Sequence, residues 1–172
     1  MKWRIGVFCV AMCMPIVAAW AAPLTGLYRT IDDETGAAKS IVRLYEYKND
    51  EGADMLAGRI VALYDADGTI SETPANATRV ASKVSGNPRV VGLDIIWDMK
   101  WSDKTHEYSG GRIMDPASGK VYSSVIWADG DKLNVRGKIG PFGRTQVWQP
   151  LADVPASLRG ADDADWTPVI RK

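Results

Sequence analysis

GLDIIWDMKW, at residues 92–101, is the stretch that decides the fold of this chain. Its polar residues Asp94, Asp98 and Lys100 alternate with apolar residues. A period of two is typical of a β-strand that buries one face, so the polar side is expected to face solvent. The inward face is expected to carry Leu93, Ile95, Trp97, Met99 and Trp101.

Seven more segments of this kind lie on either side of that stretch and lack helical periodicity. Clusters of turn residues separate them, as in Asp65-Ala66-Asp67-Gly68. Eight strands with mostly short links predict an all-β fold, an antiparallel barrel or sandwich. The predicted strands are Leu27–Ile31, Ser40–Tyr47, Met55–Tyr64, Gly92–Trp101, His106–Met114, Val121–Trp127, Leu133–Ile139 and Arg144–Trp148.

Two segments break this pattern. Residues 69–88 are polar and rich in Pro, Gly and Ser, which indicates a long connection that has room for one helical turn. From residue 151 to 172 the alternation stops, and this part is expected to be a flexible tail. The alternative is that Val154, Leu158 and Trp166 let part of the tail cap one end of the barrel as a short helix.

Two short motifs have structural interpretations. In the segment from Asp115 to Gly119, Pro116 presets φ and Gly119 accepts a left-handed conformation, as a hairpin turn requires. The same turn is also a candidate surface recognition feature. Gly110-Gly111 inside a strand predicts a bulge or a close approach of backbones, which helps a strand bend.

The N-terminus has the three parts of a secretory signal peptide. Lys2 and Arg4 precede an uncharged run over residues 5–22, and Ala19-Trp20-Ala21 offers small residues where a signal peptidase cuts. Residues 1–21 are therefore predicted to be a signal peptide, and the mature protein to be periplasmic or secreted. An uncleaved anchor is the alternative, because the run is about long enough to span a bilayer. A lipid anchor at Cys13 is disfavoured by the bulky Met12 before it.

Charge and cysteine content exclude several kinds of protein. The chain has 21 basic and 21 acidic residues, so nothing favours nucleic acid or an anionic surface by bulk charge. Cleavage after Ala21 removes both cysteines, Cys9 and Cys13, and with them any thiol nucleophile or disulfide. No stable membrane insertion is expected after that cleavage.

Catalytic and metal-binding motifs are weak. His106 is the only histidine, and no Gly-x-Ser-x-Gly motif accompanies it, so it is interpreted as a loop residue. One histidine without a mature cysteine does not make a zinc site. Ile70 stands where a calcium loop starting at Asp65 requires glycine. The sequence therefore predicts no catalytic residue, no metal and no cofactor.

Four segments carry a resemblance to a known family. They are residues 87–93, with Asn87-Pro88 and Val91-Gly92-Leu93, then Gly110–Tyr122, Leu133–Gly137 and Gly143–Trp148. Together they resemble the bacterial secreted-protein family known as domain of unknown function 2147, over roughly residues 23–150. The resemblance implies a calycin-like barrel, similar to lipocalins and fatty-acid-binding proteins, over residues 22–150. It implies no established activity.

One departure from related barrels is informative. Such barrels often begin with Gly-x-Trp, whose ring lies under an arginine of the last strand, whereas this chain has Gly26-Leu27-Tyr28. Arg144 is the matching arginine, and a tyrosine face attracts a guanidinium more weakly than a tryptophan face. The resemblance therefore predicts that Tyr28 and Arg144 form a barrel-closing pair.

The aromatic residues are the strongest functional signal. They are interpreted either as filling for the barrel core or as the lining of a cavity for a small apolar or amphipathic ligand. Strand alternation selects Trp97 and Trp101 as ligand-binding residues, and the family motifs add Tyr122 and Trp148. Three hypotheses follow: a non-enzymatic ligand-binding barrel, an envelope interaction or structural module with a packed core, and an enzyme that uses His106. The first is preferred, with no nucleic-acid partner.

Overall fold

The computed structural model describes residues 24–33, 35–158 and 167–171, so the predicted signal peptide at residues 1–21 lies outside the described residues. All eight predicted strands are present. A further short strand, β4, and a Val80–Arg89 bridge lie in the long connection, where no helical turn is described. The elements are β1 (Gly26–Ile31), β2 (Ala38–Lys48), β3 (Asp54–Tyr64), β4 (Ile70–Glu72), β5 (Asp94–Ser102), β6 (Glu107–Met114), β7 (Val121–Asp129), β8 (Lys132–Ile139), β9 (Phe142–Pro150) and a 3₁₀ turn (Ala156–Leu158).

The strands form a closed antiparallel barrel. Their order is β2-β1-β9-β8-β7-β6-β5-β3, and pairing of β2 with β3 closes the ring of eight. Strand β4 pairs with β3 beside the ring. Closure leaves no exposed strand edge in the ring, which removes the usual template for edge-to-edge aggregation. The predicted fold class is confirmed.

Bulges in β5 overturn the simple alternation predicted for residues 92–101. Asp94 lies opposite Arg59 and Ile96 lies opposite Gly58. One step along β3 therefore corresponds to two steps along β5, which is a β-bulge. Residues paired across strands share a face, and a Cβ on Gly58 would lie 3.2 Å from the Ile96 Cβ. Ile96 therefore faces the barrel interior, whereas the prediction placed it between the inward residues.

A second irregularity lies between β5 and β6. Both Asp98 and Gly110 have a positive φ, and the β6–β7 register shifts between Ser109 and Arg112. A Cβ on Gly111 would lie 2.3 Å from the backbone oxygen of Trp97, so only glycine permits this approach. The bulge predicted from Gly110-Gly111 is confirmed.

One half of the barrel interior, here called the lower half, is packed with side chains, and the other, upper half is open. The upper half lies toward the β1–β2, β3–β4, β6–β7 and β8–β9 connections. Near the β2–β3, β5–β6 and β7–β8 turns, fully buried side chains fill the interior, and none of them lines a cavity. These side chains belong to Leu44, Leu56, Met99, Ile126 and Leu133. The barrel interior therefore has one packed half and one open half.

The C-terminal region is not a free tail where it is described. Leu158 in the 3₁₀ turn is buried against Ile41, Val61 and Ala62, which form a second apolar cluster outside the main core. Farther along, the amide of Val169 donates to Asp94 Oδ2 at 2.8 Å. Residues in both described parts of the segment thus contact the barrel, while Trp166 lies outside the described residues. The flexibility expected of the tail stays a prediction.

Asp94 is the clearest departure from the predicted solvent face. Only 1% of its surface is exposed, and its carboxylate accepts two hydrogen bonds from Arg59 and one from Tyr45 as well as that from Val169. Burial, with the neighbouring Asp94 carboxylate, raises the pKa of Tyr45 well above its ordinary value, so the phenol stays protonated and donates. The cluster ties the C-terminal segment to β3 and β5.

Candidate functional site

The open half of the barrel contains a cavity of about 960 Å³. Its mouth lies at the end formed by the β1–β2, β3–β4, β6–β7 and β8–β9 connections. This size is at the upper end of the range for small-molecule sites in proteins. Residues of the inner wall are Thr30, Ser40, Ile60, Leu63, Ile95, Ile113, Met114, Tyr122, Val135, Gly137, Gln146 and Trp148.

The inner wall carries no charge. Its polar side chains are hydroxyl and amide groups, and two of them satisfy each other: Thr30 Oγ1 and Ser40 Oγ lie 2.8 Å apart. The Ser40 amide also donates to Thr30 Oγ1. A wall of this kind favours the uncharged part of a ligand, because a buried charge would meet no partner of opposite sign there.

Two polar groups on the wall retain hydrogen-bonding capacity. The Tyr122 hydroxyl makes no hydrogen bond to any residue that the structure describes. The amide oxygen of Gln146 accepts from Trp148 Nε1 at 3.2 Å, which leaves its NH₂ group to donate. Both groups can therefore orient a polar atom of a bound molecule.

The charged residues that the structure describes on the cavity lining lie at its rim, and the three cations among them are paired with carboxylates. Lys39 lies 3.6 Å from Asp32, and Arg144 Nε lies 2.6 Å from Asp33 Oδ2. Arg79 lies near Asp65, again at 3.6 Å. Each of these three rim cations faces a carboxylate, whereas the Asp115 carboxylate, which also lines the rim, forms no ion pair with a described residue.

Glu72 holds the loop that covers one side of the mouth. Its carboxylate accepts from the amides of Thr78 and Arg79 and from the Thr78 hydroxyl. Arg79 and the three residues after it line the cavity. The backbone hydrogen bonds from Thr78 and Arg79 lower the pKa of Glu72 below its ordinary value.

The hydrogen bonds to the Glu72 carboxylate make part of the free energy of unfolding depend on pH in the acid range. A depressed folded-state pKa contributes stability above the unfolded value of about 4.3, which is lost as pH falls through the folded value. We expect Glu72→Gln to cost about 2 kcal/mol at neutral pH and to flatten the decline in stability below about pH 4.3. Urea unfolding across this pH range measures both effects, and the exposed turn variant Glu51→Gln is the control. Equal pH profiles for the two variants would contradict the prediction.

Comparison with known proteins identifies the family. Residues 26–150 match domain of unknown function 2147, described as an uncharacterized protein conserved in bacteria. The chain belongs to this family. The resemblance predicted from the four sequence segments is thus confirmed. None of the curated proteins matches the chain.

Among solved structures, the chain is similar to protein HP1028 from the human pathogen Helicobacter pylori, described as belonging to the lipocalin family. The two share 22% sequence identity over 76% of this chain and 84% of the other, with a TM-score of 0.54. At this identity the likeness shows the fold alone. This family member is therefore a lipocalin-like barrel, as the resemblance implied.

The structure separates the four predicted ligand-binding residues into two groups. Tyr122 and Trp148, selected through the family motifs, both line the cavity. Trp97 and Trp101, selected by alternation, do not. Trp97 is buried in the main core and pairs with the exposed Arg112.

Trp101 lies at the opposite end of the barrel, by the β5–β6 turn. Its ring packs 5.1 Å from that of Tyr108 and 6.2 Å from that of His106, and its Nε1 donates to Asp103. It therefore helps to close the packed end. The bulges in β5 explain the error for Trp97, since alternation alone does not reveal them. Trp101 does pack against the main core, but at the packed end, away from the cavity.

The barrel-closing pair predicted between Tyr28 and Arg144 is not formed. Tyr28 lies opposite Pro150, which is six residues beyond Arg144 on β9. Six residues of a β-strand span about 20 Å, so the position of Tyr28 and that of Arg144 are about this far apart along the barrel wall. Arg144 instead bonds Asp33 at the mouth, because β9 begins at that end.

The predicted turn from Asp115 to Gly119 joins β6 and β7 at the rim. Asp115 accepts hydrogen bonds from the Ala117 amide and the Ser118 hydroxyl, and Gly119 has φ +69°. A Cβ on Gly119 would lie 2.2 Å from the Lys83 backbone oxygen, so the turn also supports the mouth loop. Asp115 and Pro116 line the cavity, a contact that sequence analysis missed.

His106 lies in the exposed turn at the closed end with φ +53°, outside the cavity. Among residues 24–33, 35–158 and 167–171, no group of three or more His, Cys, Asp or Glu residues is arranged to hold a metal ion. Within the same residues, no helix is long and apolar enough to cross a bilayer.

Proposed function

We propose that this protein is a non-enzymatic, periplasmic or secreted barrel that binds a small hydrophobic or amphipathic molecule. The observation that carries the proposal is the cavity of about 960 Å³ with its uncharged, mostly apolar wall. Such a wall stabilises a ligand by removing its apolar surface from water, at roughly 25 cal/mol per Å². The signal-like N-terminus supports export.

The chemistry of the wall limits the ligand. The part of the ligand that enters the cavity is uncharged and apolar. It carries a polar atom that can hydrogen-bond to the Tyr122 hydroxyl or the Gln146 amide. A charged headgroup has its place at the rim, where Lys39, Arg79 and Arg144 are already paired with carboxylates. The lipocalin-like fold of HP1028 is consistent with this function.

The alternative is an envelope interaction or structural module with a packed interior. That alternative expects the barrel to be filled by its own side chains along its whole length. The open upper half favours ligand binding over the packed module. The position of His106, outside the cavity, favours a binding protein over an enzyme that uses this histidine.

Native mass spectrometry of the exported protein, with its denatured mass as reference, tests the proposal. A mass excess that disappears on denaturation would identify a bound molecule, and the denatured mass would show whether the chain starts at Ala22. Titration with the uncharged fluorophore phenylnaphthylamine follows. We expect saturable binding at one site, and failure of both measurements would contradict ligand binding.

A further inference from the structure

The tip of the β8–β9 hairpin exposes two large apolar side chains. Ile139 is 64% exposed and Phe142 is 79% exposed, more than any other large apolar residue that the structure describes. They pair across the hairpin, so their side chains share a face. Both also line the mouth of the cavity. Folding of the barrel does not bury these two side chains, so the free energy that their burial would contribute is not gained.

All charged residues of the hairpin that carries this tip are basic. Residues 132–150 contain Lys132, Arg136, Lys138 and Arg144 and no acidic residue, although the chain as a whole is balanced. Lys138 directly precedes Ile139 and Arg144 lies two residues after Phe142. Arg144 is paired with Asp33, and no described residue forms an ion pair with Lys138. The apolar tip therefore has the positive charge of Lys138 directly beside it.

We propose that this tip docks the mouth of the barrel reversibly onto an anionic lipid bilayer. Phe142 and Ile139 enter the headgroup region while the adjacent Lys138 faces lipid phosphates. A tip of two side chains is too small for a stable protein interface, which buries about 1,200–2,000 Å². Shallow insertion between headgroups needs only such a tip.

Docking would place the mouth of the cavity against the lipid. A molecule leaving the bilayer would then pass directly to the uncharged wall without crossing water. This consequence rests on the proposed function, whereas docking itself rests only on the exposed tip and its charge.

Vesicle co-sedimentation of the exported protein tests the docking. Vesicles of phosphatidylglycerol and phosphatidylethanolamine are compared with vesicles of phosphatidylcholine, at low and high salt. We expect binding to the anionic vesicles, weakened by salt. Phe142→Asp should lower this partition about tenfold or more, and Ile139→Asp should act in the same direction.

Val147→Asp is the matched control, because Val147 is an exposed apolar residue on β9 away from the mouth. It should change the partition less than twofold. Equal partition of the Phe142→Asp and Val147→Asp variants would overturn the proposal, as would absence of wild-type binding at low salt. Gly137→Leu, designed to fill the cavity, should still bind vesicles while losing the fluorophore. Failure of docking is thereby distinguished from failure of the proposed ligand binding.

Discussion

Replacing Gly137 with leucine is expected to weaken phenylnaphthylamine binding about fifty-fold while leaving the barrel folded. Gly137 lies on the cavity wall, where an added Cβ would contact Ile113 Cγ2 at 3.4 Å and Tyr122 Cβ and Cγ at 3.6 and 3.9 Å, which are ordinary van der Waals distances. The larger side chain is therefore accommodated at its Cβ, and beyond it extends into the cavity, where it occupies the place of the ligand. Exclusion of three CH₂ groups, each worth ~0.8 kcal/mol, gives about this loss of affinity.

The same variant should be at least as stable as the wild type. Glycine inside a strand costs roughly 0.5–1 kcal/mol relative to a residue with a side chain, and leucine also buries apolar surface in the cavity. Asn134→Leu is the matched control, since it adds the same side chain to β8 three residues earlier and Asn134 does not line the cavity. Fluorophore titration and thermal unfolding measure the two effects. Retention of full affinity by Gly137→Leu would show that the fluorophore binds elsewhere.

The eight barrel strands were predictable because two signals coincide along the chain. Alternating apolar residues mark each strand, and Asp, Asn, Gly and Pro clusters mark each turn. Barrel closure comes from pairing of β2 with β3, which lie next to each other in sequence but at opposite ends of the ring order. A resemblance to a family, rather than periodicity, selected a barrel over a sandwich.

The inward face of β5 was not predictable in the same way. A bulge advances one strand by an extra residue and reverses the faces beyond it. Gly110-Gly111 indicated the bulge within β6, but the shift at Asp94–Ile96 has no glycine in β5 to mark it. Trp97 was therefore assigned to a ligand site, although it packs in the core.

Long-range polar contacts were equally invisible in the sequence. Strand alternation predicts that Asp94 faces solvent. In the structure it is hydrogen-bonded to Arg59 and Tyr45, which lie 35 and 49 residues earlier in the sequence. The rim pair of Arg144 and Asp33 spans 111 residues. Local patterns carry no information on such partners. Tyr122 and Trp148, which line the cavity, were selected because they belong to family motifs.

Replacing Asp94 with asparagine is expected to lower the free energy of unfolding by about 3 kcal/mol. Asparagine keeps one of the two acceptor oxygens and turns an NH₂ group toward donors, so the hydrogen bonds that Oδ2 accepts from Arg59 Nη2 and the Val169 amide are lost. Breaking a buried ion pair costs about 3–5 kcal/mol, and the Arg59 side chain, which is 20% exposed, places this case at the lower end.

The control is Asp54→Asn, which removes the ion pair between Asp54 and Lys48, whose side chains are 75% and 66% exposed. Such a pair contributes no more than about 1 kcal/mol, so the urea midpoint should hardly move. Because Asp94 also holds the Val169 amide, hydrogen exchange at this amide should accelerate in Asp94→Asn and stay slow in Asp54→Asn. Equal midpoints for the two variants would mean that Asp94 does not hold the C-terminal segment on the barrel. A lower midpoint with unchanged exchange at Val169 would instead assign the stability to the contacts of Asp94 with Arg59 and Tyr45 alone.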